Sequence, residues 1–194
     1  KAADEQVAKN GRRQTGHMWG TNPCSEIILR PYQFCNLSEV VVREGDDLLS
    51  LRSKVRVATI LGTFQSTLTD LKYLRRVWKT NTEEERLLGV SLTGIMDHNV
   101  LSKMTDSKVW LQEMKQVAID TNREYADAIG IPRSAAITCV KPSGTVSQLT
   151  DSASGIHARH NPFYIRTVRG DNKDPLTQFM KEEGIPNEAD ITKP

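Results

Sequence analysis

The sequence predicts an α/β fold with parallel strands. Three observations point there: short runs of β-branched and aromatic residues, long stretches with helical periodicity between them, and turn signals at nearly every junction. The chain has 194 residues, 38% of them hydrophobic and 26% charged, an ordinary globular mixture with one domain as the prior.

Residues 1–20 are polar and punctuated by glycine, and read as a mobile approach segment. Strand-forming residues dominate from Ile27 to Leu29 and again from Phe34 to Val42, with Pro31 between. The second run stops at Glu44-Gly45-Asp46-Asp47, a turn. Leu51, Val55, Ala58, Leu61, Phe64, Leu68 and Leu71 then recur at steps of three and four, the signature of an amphipathic helix. LLGVSLTGIM, residues 87–96, reads as a short buried strand. A second long helix begins near Thr105-Asp106-Ser107, with Trp110, Met114, Val117, Thr121 and Tyr125 on its inner face, and ends at Gly130-Ile131-Pro132. SAAITCV (134–140) is the next expected strand and runs into KPSGTVSQL. FYIRTV (163–168) is the last, before a helix from Asp174 to about Glu183.

Composition excludes several classes. Net charge is +2, from 26 basic and 24 acidic residues well mixed along the chain, so no concentrated basic surface suggests nucleic-acid binding. No apolar run approaches the roughly 18 residues of a membrane span, and the first residues lack the apolar core of a signal peptide. Three cysteines make no disulfide framework and suit a reducing, cytoplasmic compartment. Trp19, Trp78 and Trp110 read as packing residues.

Chemistry concentrates in TNPCSEIILRPYQFCNLSEVVV. Cys24 and Cys35 lie eleven positions apart, and Glu26 follows Cys24 by two. Pro23 restricts Asn22 to extended backbone, where residues two apart share a side. Asn22, Cys24 and Glu26 are therefore expected to face one ligand, with Cys35 approaching from a neighbouring strand. The cysteine spacing suits neither structural zinc nor a thioredoxin-type pair, and no metal is expected. KPSGTVS offers hydroxyls and a tight turn after a strand. Pro142, Ser143, Gly144, Thr145 and Val146 form a candidate phosphate site if a helix begins there, and a serine-capped helix otherwise. In SASGIHARH, Arg159 is a second phosphate candidate, His157 and His160 read as structural, and Cys139 reads as core.

Taken in order, NPCSE, FCNLSEV, KPSGTVS and SGIHARH resemble the catalytic subunit of ribonucleotide reductase, most closely its adenosylcobalamin-dependent class. The resemblance runs from Thr21 to about Gly170. It implies a ten-stranded α/β barrel of the ribonucleotide reductase and glycyl-radical type, of which this chain holds the second half and the central finger loop. It implies that Cys24 becomes a thiyl radical that removes the ribose 3′ hydrogen. Glu26 then takes the 3′-hydroxyl proton, Asn22 orients the sugar, and Cys35 is half of the reducing dithiol. A ribonucleoside di- or triphosphate, adenosylcobalamin and a thioredoxin-like reductant are the implied partners.

The expected organisation is an approach segment at 1–20, the catalytic barrel half at 21–170, and a terminal helix and tail at 171–194. The chain starts at Lys1, lacks the cysteine that pairs with Cys35 in the family, and cannot close a barrel at this length. It therefore reads as a fragment, inactive alone, that needs the remainder of the catalytic chain or a split-enzyme partner. Two alternatives stay open: the oxygen-dependent iron class of the same enzyme, and a noncatalytic nucleotide-binding or assembly module.

Overall fold

A computed structural model describes residues 1–9 and 11–192. Asn10, from the expected approach segment, and Lys193 and Pro194, from the expected tail, lie outside the described residues. The chain divides into two units, Lys1–Arg159 and His160–Pro194.

The first unit is built on a parallel pair, β3 (Asn36–Val41) and β4 (Leu88–Thr93), which follow α1 (Ala2–Ala8) and a short antiparallel hairpin, β1 (Gly20–Thr21) and β2 (Ile28–Leu29). In register, Asn36 lies opposite Leu88 and Val41 opposite Thr93. A third segment runs parallel to β4 but makes only one bridge, Val90 with Thr138. Its bonds to β4 are Leu88 N–H to Ala136 O, Val90 N–H to Ile137 O and Cys139 N–H to Val90 O. SAAITCV thus joins the sheet over too few residues to form the full strand its composition suggests.

Parallel strands need a long crossover. Between β3 and β4 it contains α2 (Leu48–Gln65) and α3 (Arg76–Glu85), and after β4 comes α4 (Met104–Ile129). Asp47 starts α2 by accepting from the Ser50 amide while Ser50 Oγ accepts from the Asp47 amide, a reciprocal cap. The helix stops at Gln65, short of the expected Leu71. Ser66 and Thr67 hydroxyls bond back to Thr63 O and Phe64 O and compete for the carbonyls of the last turn. The buried face of α2 holds Leu51, Val55, Ala58, Thr59, Gly62 and Thr63, so Leu61, Phe64 and Leu68 of the expected stripe are exposed. Gly62 lies on this buried face, its Cβ position in ordinary contact with a Leu88 methyl at 3.5 Å.

Helix α3 was not legible in RVWKTNTEEE, which lacks apolar periodicity. Trp78 fixes it by stacking on Phe34 with ring centres 4.7 Å apart. Helix α4 buries Met114 and Thr121 of its expected inner face together with Ala118, Asn122 and Ala126, leaves Trp110, Val117 and Tyr125 half-buried, and closes at Gly130 with φ +70°. Asn122 cross-links the layers: its amide donates to Thr63 Oγ1 (2.9 Å) and Ser134 Oγ (3.0 Å) and accepts from the Ser134 amide (2.9 Å).

The sheet alternates as pleating requires. Val40, Val42 and Val90 pack with Leu51, Val55, Ala58, Met114 and Ala118 in the main core against α2 and α4. Cys35, Leu37 and Cys139 pack instead with Ile27, Leu87 and Ala135 in a second, smaller cluster.

Two further expectations change. The approach segment is structured: residues 2–8 are helical, Val7 is buried, and Arg13 forms a buried ion pair with Glu85. In the second unit FYIRTV forms no strand, and Phe163 and Ile165 are almost fully exposed, since no ladder partner exists for it among the described residues. That unit contains α6 (Pro175–Glu182), started by Asp174 accepting from the Leu176 amide. Among the described residues no helix is long and apolar enough to cross a membrane.

Candidate active site

The hairpin β1–β2 carries Cys24 at its tip. Asn22 organises the turn: its carbonyl accepts from the Ser25 amide (2.9 Å), and its side-chain oxygen accepts from the Ile27 amide (3.0 Å). Ser25 has φ +63°, so the backbone turns between Cys24 and Glu26 and is not extended as the two-residue spacing suggested. Cys24 is consequently exposed, while Glu26 is half-buried and Ile27 buried. Asn22, expected to face a ligand alongside them, spends its oxygen on holding the turn.

Ile27 sits where β4 has no side chain. A Cβ on Gly89 would lie 2.5 Å from Leu37 Cδ2, 3.1 Å from Cys139 Sγ and 3.2 Å from Ile27 Cδ1. The glycine therefore admits three side chains from three different segments, the close approach that a strand glycine often marks. Around this point gather Cys35, Cys139, Glu26, Glu39 and Lys141. Burial pushes the Cys35 thiol above its ordinary value, and the Glu26 charge adds to that. Cys139 is pushed up to about 12, first by burial and then by Glu26, Cys35 and Glu39, with Lys141 opposing. Burial also raises Glu39, again against Lys141.

Chemically, this face holds two thiols that keep their hydrogen at neutral pH and carboxyl groups with unused capacity. Both Glu26 oxygens and Oε1 of Glu39 are buried without a hydrogen-bond partner among the described residues. A neutral S–H is a poor nucleophile but a competent hydrogen-atom donor. A carboxylate with no internal donor can accept from a ligand hydroxyl. No group of three or more metal-binding side chains occurs among the described residues.

The KPSGTVS turn follows the third sheet segment, at the carboxyl end of the parallel strands, where open α/β sheets bind ligands. Ser143 is buried at φ +55°, and α5 (Val146–Leu149) begins after Thr145. Ser147 bonds back through its amide to Ser143 O (3.0 Å) and through Oγ to Gly144 O (3.2 Å). Among the described residues the amides of Gly144, Thr145 and Val146 meet no protein acceptor. Gly155 braces the turn, since a Cβ there would lie 2.6 Å from Lys141 O, and Ser154 Oγ donates to Pro142 O. Arg159 is engaged elsewhere: it bonds Asp97 (3.0 and 3.1 Å) and Asp151 (2.7 Å), which ties down the loop and leaves it poorly placed to serve as a phosphate ligand.

No protein-family model matches the chain. Among curated proteins, the adenosylcobalamin-dependent ribonucleoside-triphosphate reductase of Lacticaseibacillus paracasei is 30% identical over 89% of this chain and 26% of its own length. That of Lactobacillus gasseri is 30% identical over 92% of the chain and 27% of its own. The chain is thus similar to ribonucleotide reductases along nearly all of its own length. It spans about a quarter of the length of the curated reductases it matches. A crystal structure of a B12-dependent (class II) ribonucleotide reductase superposes with a TM-score of 0.67 over 94% of this chain and 28% of that one, at 24% identity, which speaks for the fold.

Of the residues that the ribonucleotide reductase motifs single out, the structure brings Glu26 to the same face as Cys35 and leaves Cys24 exposed at the hairpin tip. Pro142, Ser143, Gly144, Thr145 and Val146 lie together on one turn beyond the sheet end. Sequence reasoning missed Glu39, Lys141 and the proximity of Cys139. Gly89, an isolated glycine inside a strand-like run, was the available signal of close approach.

Proposed function

We propose that this chain is the catalytic segment of a radical ribonucleotide reductase, and that residues 21–170 carry its half of the barrel with the β1–β2 hairpin as the finger loop. The observation that carries the reading is the placement of Glu26, with both oxygens unpartnered, over the protonated thiols of the β3–β4 face. The names of the relatives favour a ribonucleoside triphosphate as substrate.

In this reading the substrate phosphates occupy the free amides at 144–146, with Pro142 and Ser143 shaping the turn. Exposed amides at the start of a helix are suited to hold a phosphate. Cys24, as a thiyl radical, takes the 3′ hydrogen. Glu26 accepts the 3′-hydroxyl proton as the 2′-hydroxyl leaves as water. Of the two thiol hydrogens of the pair to which Cys35 belongs, one leaves as the proton that completes the departing water and the other goes to C2′. The two sulfurs close to a disulfide, the second sulfur coming from another part of the polypeptide, while the remaining electron and the proton held by Glu26 return the C3′ carbonyl to a C3′-hydroxyl radical. Cys24 then returns its hydrogen to C3′. Asn22 holds the hairpin turn that leaves Cys24 at the exposed tip and Glu26 on the inner side.

Adenosylcobalamin fits one feature of the chain: Pro23, Cys24 and Ser25 are all exposed, so a bulky group can reach the sulfur directly. When bound it supplies the initiating radical. A thioredoxin-like reductant restores the dithiol, and the setting is cytoplasmic.

The test is Cys24→Ser in the purified protein, supplied with a ribonucleoside triphosphate, adenosylcobalamin and a dithiol. Deoxynucleotide formation should vanish while nucleotide binding persists. Turnover that survives the substitution would sink the reading.

A further inference from the structure

Both legs of the Cys24 hairpin lead toward Glu85, the entering leg through the stack of Trp19 on Arg13 and the leaving leg through the Arg30 charge and Gln33. The entering leg is led by Trp19, which donates to Asp4 (2.8 Å) and lies under Arg13, whose guanidinium carbon is 5.0 Å from the ring centre. Arg13 grips Glu85 with both prongs, Nε to Oε1 and Nη2 to Oε2 at 3.0 Å each. The leaving leg ends at Arg30, whose Nε lies 3.7 Å from Glu85 Oε2 and whose Nη2 donates to Glu84 (3.0 Å). Gln33, three residues on, donates to the same Glu85 oxygen and accepts from the Arg30 amide (3.0 Å). The side chains of Arg13, Glu85 and Arg30 are 3%, 5% and 8% exposed.

Glu85 itself is fixed. It is the last residue of α3, its carbonyl accepts from Ala135 (2.8 Å), and Arg86 turns at once into the sheet with φ +42°. A buried ion cluster is seldom more stabilising than apolar packing of the same volume. What it supplies is direction, because a forked guanidinium holds a carboxylate in one plane.

We propose that Glu85 is a positioning residue for the reacting face, the point that sets how the hairpin lies over Cys35 and Cys139. This rests on the reading of that face as the reductase centre. The clamp acts through the hairpin: held at both ends, β1–β2 lays Ile27 on Leu87 and directs the Glu26 carboxylate toward the two thiols. Released, the same hairpin uncovers them while the α2–α4 core, which shares none of these contacts, stays closed.

The experiment uses the purified protein and reads iodoacetamide alkylation of each cysteine by peptide mass between pH 7 and 10, alongside amide exchange of α2 and α4. In Glu85→Gln, Cys35 should alkylate about tenfold faster at pH 8 with its pH midpoint lowered, since thiol reactivity tracks access and thiolate fraction. Cys24, already exposed, should change little, and α2 and α4 should keep their protection. The double variant Arg13→Gln/Glu85→Gln leaves neither of these two charges stranded in the interior. Cys35 should stay fast there even where stability recovers. An unchanged Cys35 rate in Glu85→Gln, a faster rate only with lost α4 protection, or a slow Cys35 in the double variant would each overturn the proposal. None of these readouts involves turnover, so a failed clamp leaves the reductase reading standing, and a failed Cys24→Ser test leaves the clamp result standing.

Discussion

The two faces of the β3–β4 sheet are built to different rules. Toward α2 and α4 the contacts are apolar and the crossing polar groups are matched: Thr59 and Thr63 bond back along their helix, and Asn122 satisfies both its oxygen and its nitrogen. Toward the hairpin, carboxylate oxygens of Glu26 and Glu39 are buried without donors, and two thiols are held protonated. Unsatisfied buried groups cost stability, so a face that keeps them is organised around something other than packing. Ser38 Oγ, also without a partner, is an exception on the helix side.

The comparison is broken most severely from the helix side. Leu51, fully buried, should cost about 2–5 kcal/mol as Leu51→Ala in a urea titration, by lost transfer energy plus a cavity. A loss under about 1 kcal/mol would mean that this face relaxes easily and is no better packed than the other. Gly89→Ala should cost about 1–3 kcal/mol, because the new methyl meets Leu37 and Cys139 at once. The same melt, with Cys139 alkylation followed in parallel, should show that thiol displaced and more reactive.

The hairpin face should also reveal itself by pH. Cys35 and Cys139 have folded values above the ordinary thiol value of about 8.5, so the unfolded chain loses these protons first. Their contribution is fully present below that value and declines as pH rises toward about 12, where Cys139 titrates. Wild type should therefore weaken between pH 8 and 10 in denaturant titrations, and Cys139→Ala should flatten the slope. Glu26→Gln sharpens the attribution further. Burial is the larger cause at both thiols, so removing the charge should lower their alkylation midpoints only in part. Full restoration to ordinary thiol behaviour would mean that Glu26, and not burial, governs this face. The smallest effect is expected at the tip, where Cys24→Ser should move stability by no more than about 0.5 kcal/mol.

Legibility followed the same division. Helix α4 was readable because its inner positions repeat with helical period and Gly130 closes it. Helix α3 was not, because its placement depends on one aromatic stack, Trp78 on Phe34, and on Arg13 and Arg30 reaching Glu85 and Glu84 from distant parts of the chain. FYIRTV shows the reverse error: strand composition without a neighbouring strand produces no ladder. At the site, the motifs named Cys24, Glu26 and Cys35, but the spacing argument placed the first two on an extended edge. A positive φ at Ser25 turned one outward and the other inward.

The sequence by itself determined the α/β class, the order of β3, α2, β4 and α4, and the family to which its motifs point. These follow from local periodicity, turn chemistry and residue identity, which are written along the chain. Tertiary structure alone decided that Ile27, Leu37 and Cys139 share the space over Gly89, that Glu26 faces two thiols, and that Glu85 gathers both legs of the hairpin. Each of these includes at least one pair dozens of positions apart, and their energies depend on burial and charge proximity, quantities that exist only once the chain has folded.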